Sequence, residues 1–112
     1  MGQIVIACYR PKPGAEGRLV ELTRTHVPRL RELGLATARE PIAMRAEDGT
    51  VVEVFEWVSA EAIASAHTNP AVLAMWEEFG AVCDYVPITA VAGIDRPFAG
   101  FTPLDLSSAA ST

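Results

Sequence analysis

Two histidines, His26 and His67, are the side chains of this sequence best suited to moving a proton near neutral pH. His67 stands in the string Ala66-His67-Thr68-Asn69-Pro70, where one helix is expected to end and another to begin. We therefore predict His67 as the catalytic residue, a general base toward a phenol, with capping of the preceding turn as the structural alternative. His26 falls in a leucine stripe, where a core role is usual, yet a histidine beneath the first helix also suits a cavity wall.

Aromatic and charged residues supply candidates for ligand binding. Trp57 would face a flat aromatic ligand or fill an interface, and Trp76 shares an apolar stripe that any core helix would show. The Tyr9 hydroxyl, at a strand end, would orient a ligand or lie on a rim. Glu56 falls on a strand face with valines, so its carboxylate needs a partner, and Arg45 is the nearest basic candidate.

Composition excludes several classes of function. The net charge of −5 and the lack of a basic run make nucleic acid an unsuitable partner. The N-terminus lacks a positively charged region and no apolar run is long enough to span a bilayer, so we expect a cytoplasmic protein without a membrane partner. The histidines have no carboxylate at helical spacing, so no metal site is predicted. Cys8 and Cys83 lie in apolar surroundings without CxxC spacing, so we predict that both are reduced thiols in the core.

The elements that must position these residues follow the order β-α-β-β-α-β. Hydrophobic periodicity and turn residues predict two helices, the first with a kink or restart at Pro28 and the second broken near His67. The predicted ranges are a strand at Gln3–Tyr9, a helix at Ala15–Leu33, a strand at Ala36–Ala46 interrupted by Pro41, a strand at Val51–Val58, a helical region from Ala60 to about Cys83, and a strand at Tyr85–Gly93. This order is typical of an α+β, ferredoxin-like fold, a four-stranded antiparallel sheet with both helices on one face.

The Asp48-Gly49 pair predicts a hairpin between the second and third strands. A two-residue loop would set Ile42 opposite Phe55 and Met44 opposite Glu53. Ser59 and Asn69 are predicted helix N-caps, the latter followed by a proline at the first helical position.

All four predicted strands are apolar on both faces, although two helices cover only one face. The second face therefore predicts a homodimer in which two sheets pack together. We assign residues 1–94 to the domain and 95–106 to an apolar extension that lies on the body or the partner. Residues 107–112 are expected to form a disordered tail.

Three strings, with the element order, resemble the antibiotic-biosynthesis-monooxygenase-like proteins, which are dimeric α/β barrels. They are Tyr9-Arg10-Pro11-Lys12-Pro13-Gly14, then Phe55-Glu56-Trp57 followed by Ser59 and Glu61-Ala62, and the joint from Ala66 to Val72. The resemblance covers residues 3–93. It implies a ligand cavity between the sheet and the helices of each subunit, and Trp57 matches a tryptophan common at the end of the third strand.

That group contains oxygenases that use no cofactor and act on polycyclic aromatic phenols, haem-degrading enzymes, and other members. Haem-degrading members use an Asn on the first strand and a Trp and an axial His on the second helix. Here Asn69 is the only Asn, position 8 is Cys, and His67 precedes Trp76, so haem degradation is not carried over. Two functions stay open without a cofactor: a monooxygenase acting on a small aromatic substrate, or a non-catalytic homodimer that binds a small molecule.

Overall fold

The computed structural model describes residues 1–107, which form five strands, three α-helices and one 3-10 turn. In chain order these are β1 (Gln3–Pro11), α1 (Glu16–Glu32), β2 (Ile42–Arg45), β3 (Val51–Trp57), α2 (Ala60–Ala66), α3 (Pro70–Val82), β4 (Cys83–Val86), the 3-10 turn (Ile88–Ala90) and β5 (Thr102–Pro103). The strands lie in the order β4-β1-β3-β2-β5, and each neighbouring pair is antiparallel. The chain is thus an α+β protein, and β5 adds a strand to the predicted four.

The helix boundaries follow local capping chemistry. Ser59 Oγ accepts a hydrogen bond from the backbone N–H of the third residue of α2, and Asn69 Oδ1 accepts from the first backbone N–H groups of α3. Both predicted caps and the break between the two helices are confirmed. The leucine stripe of α1 is buried as far as Leu30, but Leu33 follows the helix end and is largely exposed. Since α1 is continuous through Pro28, the predicted restart is wrong.

The β2–β3 hairpin differs from its predicted register by one residue. Ile42 lies opposite Val54 and Met44 opposite Val52, because the loop has three residues, Glu47 to Gly49. Its closing hydrogen bonds run from Ala46 N–H to Thr50 O and from Gly49 N–H to Ala46 O, and Gly49 has a φ of 91°. A type I turn followed by a left-handed glycine is a common three-residue hairpin loop. The longer loop puts Ile42 and Met44 on the sheet face opposite to Phe55.

Two strands are shorter than predicted. The segment from Ala36 contributes only a bridge to Trp57 before β2 begins at Ile42. β4 ends at Val86, since Pro87 has no N–H to donate to β1, and the chain then enters the 3-10 turn. The predicted strand to Gly93 is therefore wrong. Within residues 1–107, β4 pairs only with residues 8–11 of β1, so the edge of β1 at residues 3–7 has no strand beside it.

The two faces of the sheet are covered differently. On one face all three helices pack against β1 and β3 and enclose the main core, with Leu19, Leu30, Val72, Met75 and Phe79 essentially inaccessible. On the other face Cys8, Ala46 and Val52 form a smaller cluster that the chain after Pro87 covers, through Ile88, Val91, Ile94 and Phe101. The same face leaves Ile4, Ile6 and Ile42 more than half exposed, at 54%, 55% and 60%.

Part of the C-terminal segment, residues 101–105, lies along the body, whereas Phe98 is 97% exposed. Thr102 pairs with Arg45, the Leu104 N–H donates to Ala43 O, and Arg24 Nε donates to the carbonyl oxygen of Asp105. The predicted disordered tail falls almost entirely on residues 108–112, which lie outside the described part of the chain. Among the helices of residues 1–107, none combines the length and apolarity needed to cross a membrane.

Candidate functional site

A cavity of about 200 Å³ lies between the sheet and the helices. Its walls come from both strands of the sheet centre, from α1 and α3, and from the start of β4. The lining residues are mostly apolar or aromatic: Val5, Ile6, Ala7, Tyr9, His26, Phe55, Trp57, Trp76, Phe79 and Tyr85. A concave, apolar space with a few polar groups is the usual form of a small-molecule site.

A larger groove, of about 590 Å³, runs along the outer side of α1 near Leu106. Four of its seven lining residues are charged: Glu21, Arg24, Arg29 and Glu32. Among residues 1–107, none of the buried polar atoms without a hydrogen-bond partner belongs to this groove, so it has no polar group that a ligand must satisfy. The aromatic cavity is therefore the better candidate site.

A hydrogen-bonded group of three side chains, Tyr9, Glu53 and His26, lies at the cavity wall. The Tyr9 hydroxyl donates to Glu53 Oε1 at 2.7 Å, and His26 Nδ1 lies 2.8 Å from the same oxygen. All three side chains are buried, Glu53 completely. A buried carboxylate requires donors of this kind, because transfer of an isolated charge from water into the core is strongly unfavourable.

Three buried polar atoms have no hydrogen-bond partner among the described residues: His26 Nε2, Glu53 Oε2 and Thr50 Oγ1. Folded proteins rarely leave such atoms unpaired, and exceptions often mark functional sites. The imidazole itself is held firmly, with ring centroids 5.2 Å from Phe55 and 5.1 Å from Phe79. The site therefore contains a firmly packed imidazole with one nitrogen that lacks a hydrogen-bond partner among the described residues.

The surroundings keep both cavity tyrosines in their neutral, protonated form. Burial raises the pKa of Tyr9 well above its ordinary value, and the neighbouring Glu53 carboxylate raises it further. Burial, with a smaller contribution from Cys83, raises the pKa of Tyr85 to about 12. Tyr9 is therefore a hydrogen-bond donor to Glu53 at neutral pH.

The cavity opens at the edge of the sheet. Ile6 and Tyr85 line the cavity and are also about half exposed, so these two residues form its mouth. Continued pairing of β4 along β1 would have placed a strand across this position. The strand break at Pro87 thus leaves the mouth open.

The structure brings together four of the seven site residues predicted from the sequence. Tyr9, His26, Trp57 and Trp76 all line the cavity. Glu56 and Arg45 do not.

Glu56 lies on the opposite face of the sheet near the end of β3, and its partner is not Arg45. Glu56 Oε1 accepts hydrogen bonds from Arg39 Nε at 3.0 Å and from the Thr37 hydroxyl at 2.9 Å. These two bonds lower the pKa of Glu56. The predicted pairing with Arg45 is wrong because the loop after α1 supplies the partners, and Arg45 lies near the C-terminal segment instead.

His67 lies outside the cavity lining. Its Nδ1 is 2.9 Å from the carbonyl oxygen of Ile63, one turn earlier in α2, and its ring packs edge-on against Trp76 at 5.3 Å. The ring thus has the capping geometry considered as the structural alternative. It reaches the site only through Trp76, and its catalytic role stays a prediction.

Sequence reasoning did not select Glu53 as a site residue. The signal was its place on β3 between Val51 and Phe55, on the same face as Phe55 and Trp57. A carboxylate in an aromatic, helix-covered row must have buried partners.

Within residues 1–107, no three His, Cys, Asp or Glu side chains converge in a manner suited to holding a metal ion. Comparison of the chain with protein-family models finds no matching family. Comparison with curated proteins likewise finds no match. Any function of the cavity must therefore be inferred from the residues that line it.

Proposed function

We propose that this chain is a cofactor-independent monooxygenase of the antibiotic-biosynthesis-monooxygenase-like kind, acting on a small, electron-rich aromatic. The observation that carries the proposal is the aromatic cavity with His26 in its wall, where the imidazole is hydrogen-bonded to the buried Glu53 carboxylate behind it. The strand order β4-β1-β3-β2, with the helices packed on one face, supports a ferredoxin-like fold. The resemblance in sequence implies a cavity at this same place.

The reaction needs only the ligand and O₂. An electron-rich phenol loses its hydroxyl proton and reduces O₂ with electrons from its own ring. One oxygen atom enters the ring as a second carbonyl of a quinone, and the other leaves as water with the two hydrogens removed from the substrate. The protein's part is to orient the ring, to accept the proton and to exclude bulk water.

The volume of the cavity limits the substrate. A closed cavity of about 150 Å³ suffices for benzene, and the present cavity measures about 200 Å³. The site therefore favours one aromatic ring with substituents, or two fused rings protruding at the mouth, over the polycyclic substrates that the resemblance implies.

Oxygen uptake tests the proposal. The protein is incubated with single-ring dihydroxybenzenes, naphthols and anthrone, and uptake is followed with an oxygen electrode beside a no-protein control. We expect protein-dependent uptake that is fastest for the smaller rings, with a quinone product identified by mass spectrometry. Protein-independent rates for every member of the panel would refute the oxygenase function.

One observation favours a non-catalytic ligand-binding protein as the second candidate. The resemblance implies an Asn on the first strand, but position 8 of this chain is Cys. The Cys8 thiol packs on the sheet face away from the cavity. Burial raises its pKa, so it stays a neutral thiol. Saturable binding of a small phenol without oxygen uptake would identify this second function.

We also propose that the chain forms a homodimer through the isoleucine patch, defined as Ile4, Ile6 and Ile42. Ile6 and Ile42 lie on either side of Val54 in the strand register, so the patch is continuous across three strands. In a two-fold dimer the same surface of each subunit forms the interface, so a continuous apolar patch can pack against its own copy. The chain after Pro87 covers only the neighbouring part of this face.

Analytical ultracentrifugation tests the dimer. We expect a dimer at micromolar concentration, with an interface that buries more than about 1,000 Å². Ile42→Glu should give a monomer, because it places a carboxylate in the apolar contact. Leu73→Glu is the matched control, since Leu73 is similarly exposed but lies on α3. A monomeric parent protein, or equal dissociation by both variants, would rule this interface out.

A further inference from the structure

We propose that His26 is the proton acceptor of the cavity and that its ligands are small phenols, held by their hydroxyl group at His26 Nε2. Glu53 is the positioning residue that orients the imidazole, and Tyr9 holds Glu53. This inference rests on the proposed function and names the reacting group within the same site. It differs from the sequence prediction, which assigned the proton transfer to His67.

The hydrogen bonds at Glu53 determine which nitrogen of His26 is free. Oε1 accepts the Tyr9 hydroxyl proton at 2.7 Å, so this oxygen acts as an acceptor. With Glu53 as the carboxylate and His26 as the neutral imidazole, Nδ1, 2.8 Å from the same oxygen, is the second donor and carries the hydrogen. A neutral imidazole with hydrogen on Nδ1 has its lone pair on Nε2. The atom left without a partner among the described residues is therefore a proton acceptor.

Aromatic side chains hold the His26 ring in one orientation. Phe55 and Phe79 both pack edge-on against His26, with interplanar angles of 77° and 64°. The ring also lies edge-on to Tyr9, with centroids 6.4 Å apart. His26 is 4% exposed and its Nε2 is fully buried, so bulk water does not reach that atom. A ligand in the cavity that His26 lines would reach Nε2 after a small shift of the wall side chains.

A phenol matches both parts of the site. Its ring suits the apolar walls formed by Trp57, Trp76 and Phe79, and its hydroxyl supplies the hydrogen that Nε2 lacks. When the phenol O–H bond breaks, the proton forms an N–H bond at Nε2 and the electron pair stays on the phenol oxygen. The imidazolium then lies between the phenolate and the Glu53 carboxylate, so the proton transfer creates no isolated charge.

The same arrangement predicts selectivity. A ligand of equal shape that lacks the hydroxyl leaves Nε2 unpaired and should bind less tightly, since sites built around a hydrogen bond discriminate against analogues without it. The matched pair is 4-nitrophenol and 4-nitroanisole. The first carries the proton, and its phenolate has a distinct visible absorption band. The second has a methyl group in place of that hydrogen.

The experiment measures binding and ionisation separately, on the full chain. Below the pH at which free 4-nitrophenol ionises, we expect the protein to bind it, to produce the phenolate band, and to bind 4-nitroanisole at least tenfold more weakly. Nitrogen-15 spectra of the imidazoles should show protonation of His26 Nε2 with 4-nitrophenol but not with 4-nitroanisole. This second measurement needs no variant and so does not depend on how His26 substitutions fold.

Variants then assign the proton acceptor. His26→Phe should bind both probes about equally without a phenolate band, and Glu53→Gln should weaken the band by a larger factor than it weakens the binding of 4-nitroanisole. Loss of the band in His67→Ala but not in His26→Phe would overturn the assignment in favour of His67. Binding of both probes without phenolate would overturn this inference and leave the cavity as a ligand site. Binding of neither probe would overturn it together with the proposed function.

Discussion

Removal of the Tyr9 hydroxyl, a hydrogen-bond donor to the buried Glu53 carboxylate, should lower the stability of the fold measurably. In Tyr9→Phe the ring and its packing against Phe79, at a centroid distance of 5.0 Å, are kept, but the 2.7 Å hydrogen bond to Glu53 is lost. Hydrogen bonds to charged groups contribute about 1.5–3 kcal/mol, and an uncompensated buried carboxylate adds to the loss. We expect a decrease of about 2 kcal/mol in the free energy of unfolding, which corresponds to about 10 °C in Tm for a domain of this size.

Tyr85→Phe is the matched control, because its hydroxyl makes a longer, exposed bond of 3.3 Å to the Trp76 carbonyl oxygen. Its stability should stay within about 0.5 kcal/mol of the parent. Thermal and urea unfolding, followed by circular dichroism at one protein concentration, give both values. In a double-mutant cycle with Glu53→Gln, the loss caused by Tyr9→Phe should shrink. Equal losses in the two tyrosine variants, or no coupling to Glu53, would refute the reasoning that Tyr9 stabilises a buried carboxylate.

Three further predictions concern other parts of the chain. Burial raises the pKa of the Cys83 thiol from 9.0 to about 11, so between these values the folded state retains a proton that the unfolded state has lost. The free energy of unfolding should therefore be full below about pH 9 and fall as the pH rises toward 11. The urea midpoint should fall less steeply with pH in Cys83→Ala. Asn69→Ala should lower stability by about 1 kcal/mol in thermal unfolding while Asn69→Asp preserves it, because the lost oxygen caps α3. His67→Ala should lower stability by about 0.5–2 kcal/mol through its bond to Ile63 O and its contact with Trp76; an affinity for 4-nitrophenol that falls more than about threefold would contradict this purely structural role.

Local chemistry made the elements predictable. The caps at Ser59 and Asn69 are short-range signals, since a side-chain oxygen satisfies N–H groups two or three residues away. The leucine stripe of α1 likewise required only helical spacing, and it correctly placed His26 on the buried side. The α+β class therefore followed from the sequence without knowledge of any tertiary contact.

Register and partners could not be predicted in the same way. The loop at Asp48-Gly49 allows two or three residues, and the choice decides which face Ile42 joins. Glu56 was predicted to need a partner, but its partners come from the loop after α1, which the sequence does not reveal. Glu53 instead pairs with His26, and that contact depends on how α1 sits over the sheet. The site was thus predictable as a set of lining residues and not as a hydrogen-bonded group.

The early end of β4 has a consequence for the speed of ligand exchange. A molecule entering beside Tyr85 passes a sheet edge that no strand of residues 1–107 occupies, so no helix has to move and no backbone hydrogen bond has to break. Exposed side chains change rotamer within picoseconds to nanoseconds, whereas lids and domains move in microseconds to milliseconds. In the single chain, entry and release at this site should therefore be limited by diffusion and by the Tyr85 side chain.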